Sequence, residues 1–327
     1  MAFLGPSKLP CSRIVCGLWQ TSGGWGSATE AAAIEAIARL ARAGHAFDGA
    51  DHYGPSEQLM GAVREQLGAA TPSFFTKWCP QPRRYSPVEV DAAIGRSLSR
   101  MRTPKLDLLQ FHWWDYAMRA ELEAALRDLQ RLQAAGRIRE LALTNFDTQH
   151  VVWMVDELRL PIAANQVQFS LVDQRPLRAM APACAARGVQ LLCYGTLLGG
   201  LLSDAWLGKP APTPAELPTP SQRKYYNMLR AWGSWALFQE LLAATKAVGS
   251  RHGVSVAVVG LAWVLAQPAV AGCIVGLRAG LSEHNEENAA ALRVALTAAD
   301  FAQLAAVTAK GADLFSKIGD CGDEYRG

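Results

Sequence analysis

The sequence predicts an α/β fold, a (β/α)8 TIM barrel with extra C-terminal helices, and two observations carry that expectation. Apolar β-rich runs alternate with helical stretches until eight strands are counted, and no linker interrupts them along the 327 residues. Within the runs the apolar residues are consecutive, as in Leu141-Ala142-Leu143 and Leu191-Leu192-Cys193, the pattern of parallel strands covered on both faces. The whole chain, 1–327, therefore reads as one barrel domain.

In chain order the expectation is strand 13–19, helix 29–43, strand 45–50, helix 56–67, strand 73–78 and helix 87–101. Strand 106–112 follows, then helix 119–135. In that helix Leu122, Leu126, Leu129 and Leu132 recur with charges between them, and Gly136 is placed to cap it. Strand 138–145, helix 148–158, strand 163–169, helix 176–187 and strand 189–194 come next. An irregular segment spans 195–222; its Pro-rich part, 210–220, is too short for a domain linker. It is either a lid or pocket wall beside the seventh strand, or a solvated surface loop. Helices near 234–252 and 255–267 precede the last strand, 271–276, and further helices start at Ser282 and Ala298.

Half of the residues are hydrophobic and 19% are charged, which excludes a largely disordered chain. The net charge is +3 and the Lys and Arg residues are scattered, densest at Pro82-Arg83-Arg84 and Gln222-Arg223-Lys224. A groove for a polyanion needs a patch, so no nucleic-acid partner is expected. Residues 253–277 hold no ionisable side chain except Cys273 and could span a bilayer by length. Gln267-Pro268 divides them into a helix and a short strand, so a buried helix and an interior strand are expected and no membrane. Seven cysteines, an odd number without a Cys-x-x-Cys, read as reduced core thiols. Residues 1–10 show neither the apolar stretch of a secretory signal nor the Arg/Ser-rich character of a transit peptide, so a cytoplasmic location is expected.

Four polar residues stand where strands end: Asp48 and Tyr53 in Phe47-Asp48-Gly49-Ala50-Asp51-His52-Tyr53-Gly54, Lys77 after Phe74-Phe75-Thr76, and His112 after Leu108-Leu109-Gln110-Phe111. In a barrel the working groups sit at the C-terminal strand ends, and neighbouring strands run about 4.8 Å apart, so these four can converge. Singly each has a plain alternative: Tyr53 a surface turn residue, Lys77 a solvated cation, His112 a satisfied core histidine. As a set they suggest a carbonyl-reducing site, because a phenol that titrates near about 10 loses its proton more readily beside an ammonium. Trp19, Trp78, Trp113 and Trp114 lie on or next to the same strand ends. At least two of them, with Trp19, Trp78 and Trp113 as candidates, are expected to wall an apolar substrate pocket, against ordinary core packing.

The ordered series Phe47-Asp48-Gly49-Ala50-Asp51-His52-Tyr53-Gly54-Pro55-Ser56-Glu57, Thr76-Lys77, Phe111-His112 and Leu143-Thr144-Asn145-Phe146 resembles the aldo-keto reductases, with Gly49 where a Thr is usual. The resemblance covers nearly the whole chain. It implies that Tyr53 is the proton donor, that Lys77 and Asp48 tune it, with Lys77 lowering the phenol's pKa, and that His112 positions the substrate carbonyl. It also implies a nicotinamide cofactor, NADPH/NADP, extended across the barrel mouth without a Gly-x-Gly-x-x-Gly loop. Thr144, Asn145 and Gln166 would hold the carboxamide and Tyr194 would stack on the nicotinamide ring. Leu197, Gly199 and Gly200 would lie along the pyrophosphate, and Leu18 and Trp19 are assigned to the cofactor as well. Gly276, Arg278, His284, Glu287 and Asn288 match the segment that embraces the adenosine end, with two residues more than the common spacing. Arg278 would take the 2′-phosphate, since guanidinium suits phosphate geometry.

The implied activity is NADPH-dependent reduction of an aldehyde or ketone, a small carbonyl substrate, to an alcohol. Potassium-channel beta subunits resemble the same family, so a cofactor-binding regulatory subunit with weak turnover stays open. A metal-dependent barrel hydrolase needs clustered ligands, and the six histidines contain no His-x-His pair, so no metal is expected. Residues 318–326 and Ala231-Trp232-Gly233-Ser234-Trp235 look like a subgroup of the family found in plants and algae. Which aldehyde or ketone is reduced, and in what oligomeric state, is not legible in the sequence.

Overall fold

The computed structural model describes residues 1–26 and 28–326. It opens with an antiparallel hairpin, β1 (Ala2–Leu4) and β2 (Leu9–Cys11), that the sequence reading did not anticipate. Eight parallel strands then close a barrel in chain order: β3 (Ile14–Gly17), β4 (Phe47–Asp48), β5 (Phe74–Trp78), β6 (Leu106–His112), β7 (Ile138–Thr144), β8 (Ile162–Gln168), β9 (Gln190–Tyr194) and β10 (Val270–Gly276). β10 completes the circle by pairing with both β9 and β3.

Around the strands run α1 (Glu30–Arg42), α2 (Ser56–Leu67), α3 (Pro87–Arg100), α4 (Arg119–Ala134), α5 (Thr148–Val152), α6 (Arg175–Arg178) and α7 (Met180–Arg187). Then come α8 (Pro220–Trp232), α9 (Trp235–His252), α10 (Val256–Leu265), α11 (Asn285–Ala289), α12 (Ala298–Thr308) and α13 (Leu314–Ile318). Local chemistry sets their ends. Ser86 and Glu89 form a reciprocal capping box at the start of α3, with Pro87 at its first turn. Thr219 and Gln222 do the same for α8, which begins inside the stretch expected to be irregular. Expected helix 148–158 is α5 followed by a π-helical turn over Trp153–Glu157, and expected helix 176–187 is broken at Ala179 into α6 and α7.

Successive strand residues point to opposite faces, and this divides the apolar residues into two layers. Val15, Phe75, Leu108, Ala142, Ala164 and Leu192 point into the barrel, where Leu4 and Leu9 of the hairpin join them. Ile14, Phe47, Phe74, Phe111 and Leu143 point outward under the helices. Each such side chain contributes about 1.5–3 kcal/mol through burial. The same parity corrects three expectations. Lys77 and His112 point inward, so Trp78 and Trp113, one residue further on, join the outer layer. Trp78 stacks on Phe111 with centroids 5.3 Å apart, and the Trp113 indole N–H donates to the Asp115 carbonyl at 2.7 Å; both are buried packing residues, not pocket walls. Leu18 likewise turns into the outer layer and is fully buried.

The apolar stretch 253–277 resolves into α10, buried on nearly all sides, and the interior strand β10. Among the described residues no single helix is long and apolar enough to cross a membrane.

Candidate active site

Strand register brings the polar residues to one end of the barrel. Asp48 closes β4, Lys77 is the penultimate residue of β5, and His112 closes β6. His112 is level with Thr144 on β7, and Thr144 is level with Gln166 on β8. Tyr53 follows β4 in a turn pinned by the Thr21 hydroxyl, which donates to the Tyr53 carbonyl at 2.8 Å.

Below the mouth these residues form a buried polar network. The Lys77 ammonium donates to Asp48 Oδ2 at 2.5 Å and to the Gly49 carbonyl at 3.0 Å. Asp48 Oδ1 accepts from the amides of Gln110, at 2.6 Å, and Gln166, at 3.0 Å, and Gln166 also donates to Gln110 Oε1 at 2.6 Å. Both charges are almost fully buried, so each depends on the other and on these amides for its solvation. Gly49 leaves room for Met60: a Cβ there would lie 2.5 Å from the Met60 methyl carbon.

The Lys77 ammonium lies 4.8 Å from the centroid of the Tyr53 ring. In this state the phenol is not acidic. Burial, then the Asp48 carboxylate, raise its pKa well above the ordinary tyrosine value, which corrects the expectation of a depressed pKa. Asp48, which holds the ammonium at 2.5 Å, adds its own negative field to the larger effect of burial.

His112 is pushed down to about 4, by burial first and then by the positive groups around it, so its imidazole is neutral at pH 7. Its Nδ1 lies 3.2 Å from Cys79 Sγ, and burial holds that thiol up at about 12. A protonated thiol donates to Nδ1, which leaves the hydrogen on Nε2. Nε2 is buried without a partner among the described residues.

These groups line a cavity of about 800 Å3. Asp48, Tyr53, Lys77 and His112 border it together with Trp19, Thr144, Asn145, Gln166 and Tyr194. Further along lie Leu197, Gly199, Gly200, Gly276, Arg278, His284, Glu287 and Asn288. Leu18, Trp78 and Trp113 are absent from the lining, while Trp25, edge-on to Trp19 at 4.8 Å, and Cys79, Thr196, Lys224, Tyr225 and Tyr325 belong to it and were not anticipated. In the sequence Cys79 shares strand parity with Lys77, a signal that could have found it. The wall expected from 210–220 begins only at Thr219; residues 213–216 are exposed.

The lining suits a nicotinamide dinucleotide. The Thr144 and Thr196 hydroxyls are buried at the cavity without partners among the described residues. Gly199 sits at φ +66°, and a Cβ there would come within 2.9 Å of the Ser221 backbone, so only glycine lets the start of α8 close over this corner. Arg278 donates through Nε to the Trp25 carbonyl at 2.9 Å. Among the described residues no group of three or more His, Cys, Asp or Glu could hold a metal ion.

The C-terminal segment crosses the mouth. Glu324 pairs with the buried Arg175 at 2.8 Å, and the Tyr325 hydroxyl meets that of Tyr194 at 3.1 Å. Tyr194 in turn donates to Asn145 Oδ1 at 2.9 Å, and the Arg326 guanidinium bonds the Asn145 carbonyl and the Tyr116 hydroxyl.

The chain is 26% identical to an NADH-specific methylglyoxal reductase of Escherichia coli (strain K12), over 91% of this chain and 94% of that protein. It is 28% identical to flagellar radial spoke protein 5 of Chlamydomonas reinhardtii over 63% of its own length, and spans 44% of that longer protein. A crystal structure of an aldo/keto reductase from Klebsiella pneumoniae in complex with NADP and acetate superposes with a TM-score of 0.71 at 22% identity, covering 93% of this chain and 94% of that one. The Aldo/keto reductase family model matches residues 13–309, and the chain belongs to that family.

Proposed function

We propose that this protein reduces an aldehyde or ketone to the alcohol with NADPH, and that Tyr53 supplies the proton. The observation that carries the reading is the Lys77 ammonium, held by Asp48 and lying 4.8 Å from the Tyr53 ring at a cavity that His112 also borders.

When bound, the reduced nicotinamide supplies a hydride to the carbonyl carbon. His112 donates from Nε2 to the carbonyl oxygen and orients it. Tyr53 passes its phenolic proton to that oxygen as negative charge develops there. The raised pKa keeps the phenol loaded with its proton until then. Lys77 acts as the proton leaves, because its cation stabilises the phenolate that forms and does little for the neutral ring. Thr144 and Asn145 hold the carboxamide, and Tyr194 presents its ring to the nicotinamide.

Arg278 is our candidate for the 2′-phosphate. Its Nε is tied to the Trp25 carbonyl, and its terminal amino groups make no hydrogen bond among the described residues. A guanidinium so anchored offers a bidentate fork to phosphate. The methylglyoxal reductase relative is NADH-specific, so cofactor preference needs its own measurement.

The experiment is a panel of aldehydes and ketones, pyridoxal included, followed by loss of NADPH or NADH absorbance. Turnover with NADPH supports the proposal. No oxidation of either cofactor across the panel, by protein shown to bind NADPH, rejects it.

A further inference from the structure

One cation at the cavity has no part in the proton transfer. Lys224 reaches it from α8, and its ammonium lies 4.9 Å from the ring centroids of Tyr194 and Tyr325 and 5.3 Å from that of Tyr225. It donates to the Tyr325 hydroxyl. Among the described residues no carboxylate stands within ion-pair distance of it.

Apart from Arg278, whose terminal amino groups are the proposed 2′-phosphate fork, the other charges of the lining are spoken for. Lys77 is paired with Asp48, Asp204 with Lys246, and Glu283 with Arg39. Glu287 accepts from the Ser255 hydroxyl at 2.7 Å and faces His284. Glu324, beside the rings, is taken by Arg175. Lys224 is thus an uncompensated positive charge at the mouth of the cavity.

That charge persists at neutral pH. Burial works against the ammonium, but the Tyr325 hydroxyl, which accepts its hydrogen bond, and the more distant Glu324 favour the charged form, and its pKa lies above the ordinary lysine value. Three ring faces attract it and hold its stem in place. A cation kept by neutral rings keeps most of its capacity to bind an anion, because its field is not cancelled locally.

Its position relates it to the carbonyl. The Tyr325 ring touches Lys224 on one side and stands edge-on to His112 on another, with centroids 6.0 Å apart. The ammonium is therefore one ring away from the group that orients the carbonyl oxygen.

We propose that Lys224 is a specificity residue which binds an oxyanion, a carboxylate or a phosphate, carried by the carbonyl substrate a few bonds from its reacting carbon. The inference rests on the carbonyl-reductase reading and adds the substrate class. The Tyr325 hydroxyl is the resting partner of the ammonium, and the substrate's oxyanion displaces it.

The test uses two matched pairs: 4-carboxybenzaldehyde against its methyl ester, and pyridoxal phosphate against pyridoxal. The wild type should prefer the anionic member of at least one pair by about tenfold or more in kcat/KM, chiefly through KM, as expected for a charge-assisted hydrogen bond. Whichever pair shows it separates carboxylate from phosphate. Lys224→Met should erase that ratio and Lys224→Arg should keep it. A wild type without preference in either pair overturns the proposal, and so does a ratio that survives Lys224→Met. Equal loss on both members together with weakened NADPH binding also overturns it, since the ammonium then serves the cofactor or the fold. Calorimetric binding of 4-(hydroxymethyl)benzoate to the NADP complex gives a readout independent of turnover. If no aldehyde is reduced but this anion binds and Lys224→Met releases it, the anion site stands and the redox reading falls.

Discussion

Lys77 and Tyr53 meet through the face of the phenol ring, with the ammonium 4.8 Å from its centroid while Asp48 accepts a hydrogen bond from that ammonium at 2.5 Å. The cation is placed to act on the phenolate, and the carboxylate limits how far it can act on the phenol. Replacing the donor alone tests this division. Tyr53→Phe should lower kcat for carbonyl reduction by about 10²-fold or more, and leave the Kd for NADPH, measured by fluorescence titration, within about twofold. Unchanged turnover would contradict the assignment.

The ion pair is also structural. Lys77→Met leaves the Asp48 carboxylate buried with only amide donors, at a cost of about 3 kcal/mol that thermal unfolding should register. The double variant Asp48→Asn with Lys77→Met should recover much of the stability and none of the turnover. A double variant as unstable as the single one would show that the charge imbalance is not the cause.

The pH profile follows from two opposite shifts. His112, pushed down to about 4, stays neutral as pH falls until well below the ordinary histidine range, and Tyr53, raised by burial, keeps its proton beyond the ordinary tyrosine range. The kcat/KM for reduction should be flat between about pH 5 and about pH 9. A unit slope centred near about pH 6.5 would mean that His112 titrates as if solvated.

Cys79 should matter through His112. Cys79→Ala removes the donor to Nδ1 and frees the ring to turn, with an expected loss of about fivefold in kcat/KM. Cys79→Ser keeps a donor and should restore most of it. Alanine and serine variants that both match the wild type would show that the tautomer is set in another way.

Cofactor choice is read at Arg278. Arg278→Ala should weaken NADPH binding by about tenfold or more while changing NADH binding little, because only one dinucleotide carries the phosphate. Equal weakening would assign the guanidinium to the contact with the Trp25 carbonyl alone.

The barrel was legible because its signal is local, runs of consecutive apolar residues for the strands, and the convergence of Asp48, Tyr53, Lys77 and His112 on one cavity follows from their places at or just after the ends of three successive strands. The tryptophans misled for a reason the sequence also contains. Trp78 and Trp113 follow inward-pointing Lys77 and His112, and alternation along a strand sends them outward. The β1–β2 hairpin escaped because strands of three residues are too short to show a period. The contact between Lys224 and Tyr325 spans 101 residues, and no local pattern encodes such a meeting. α8 was recoverable, since Thr219-Pro220-Ser221-Gln222 is a helix-start signature.

The hairpin at the N-terminus has a bearing on kinetics. With Leu4 and Leu9 fully buried in the interior apolar layer, the hairpin helps to fill the barrel's inside and leaves the lined cavity for the chemistry. Under the proposed reaction, dinucleotide and carbonyl compound share this one cavity, so product-inhibition patterns should show an ordered sequence of binding and release.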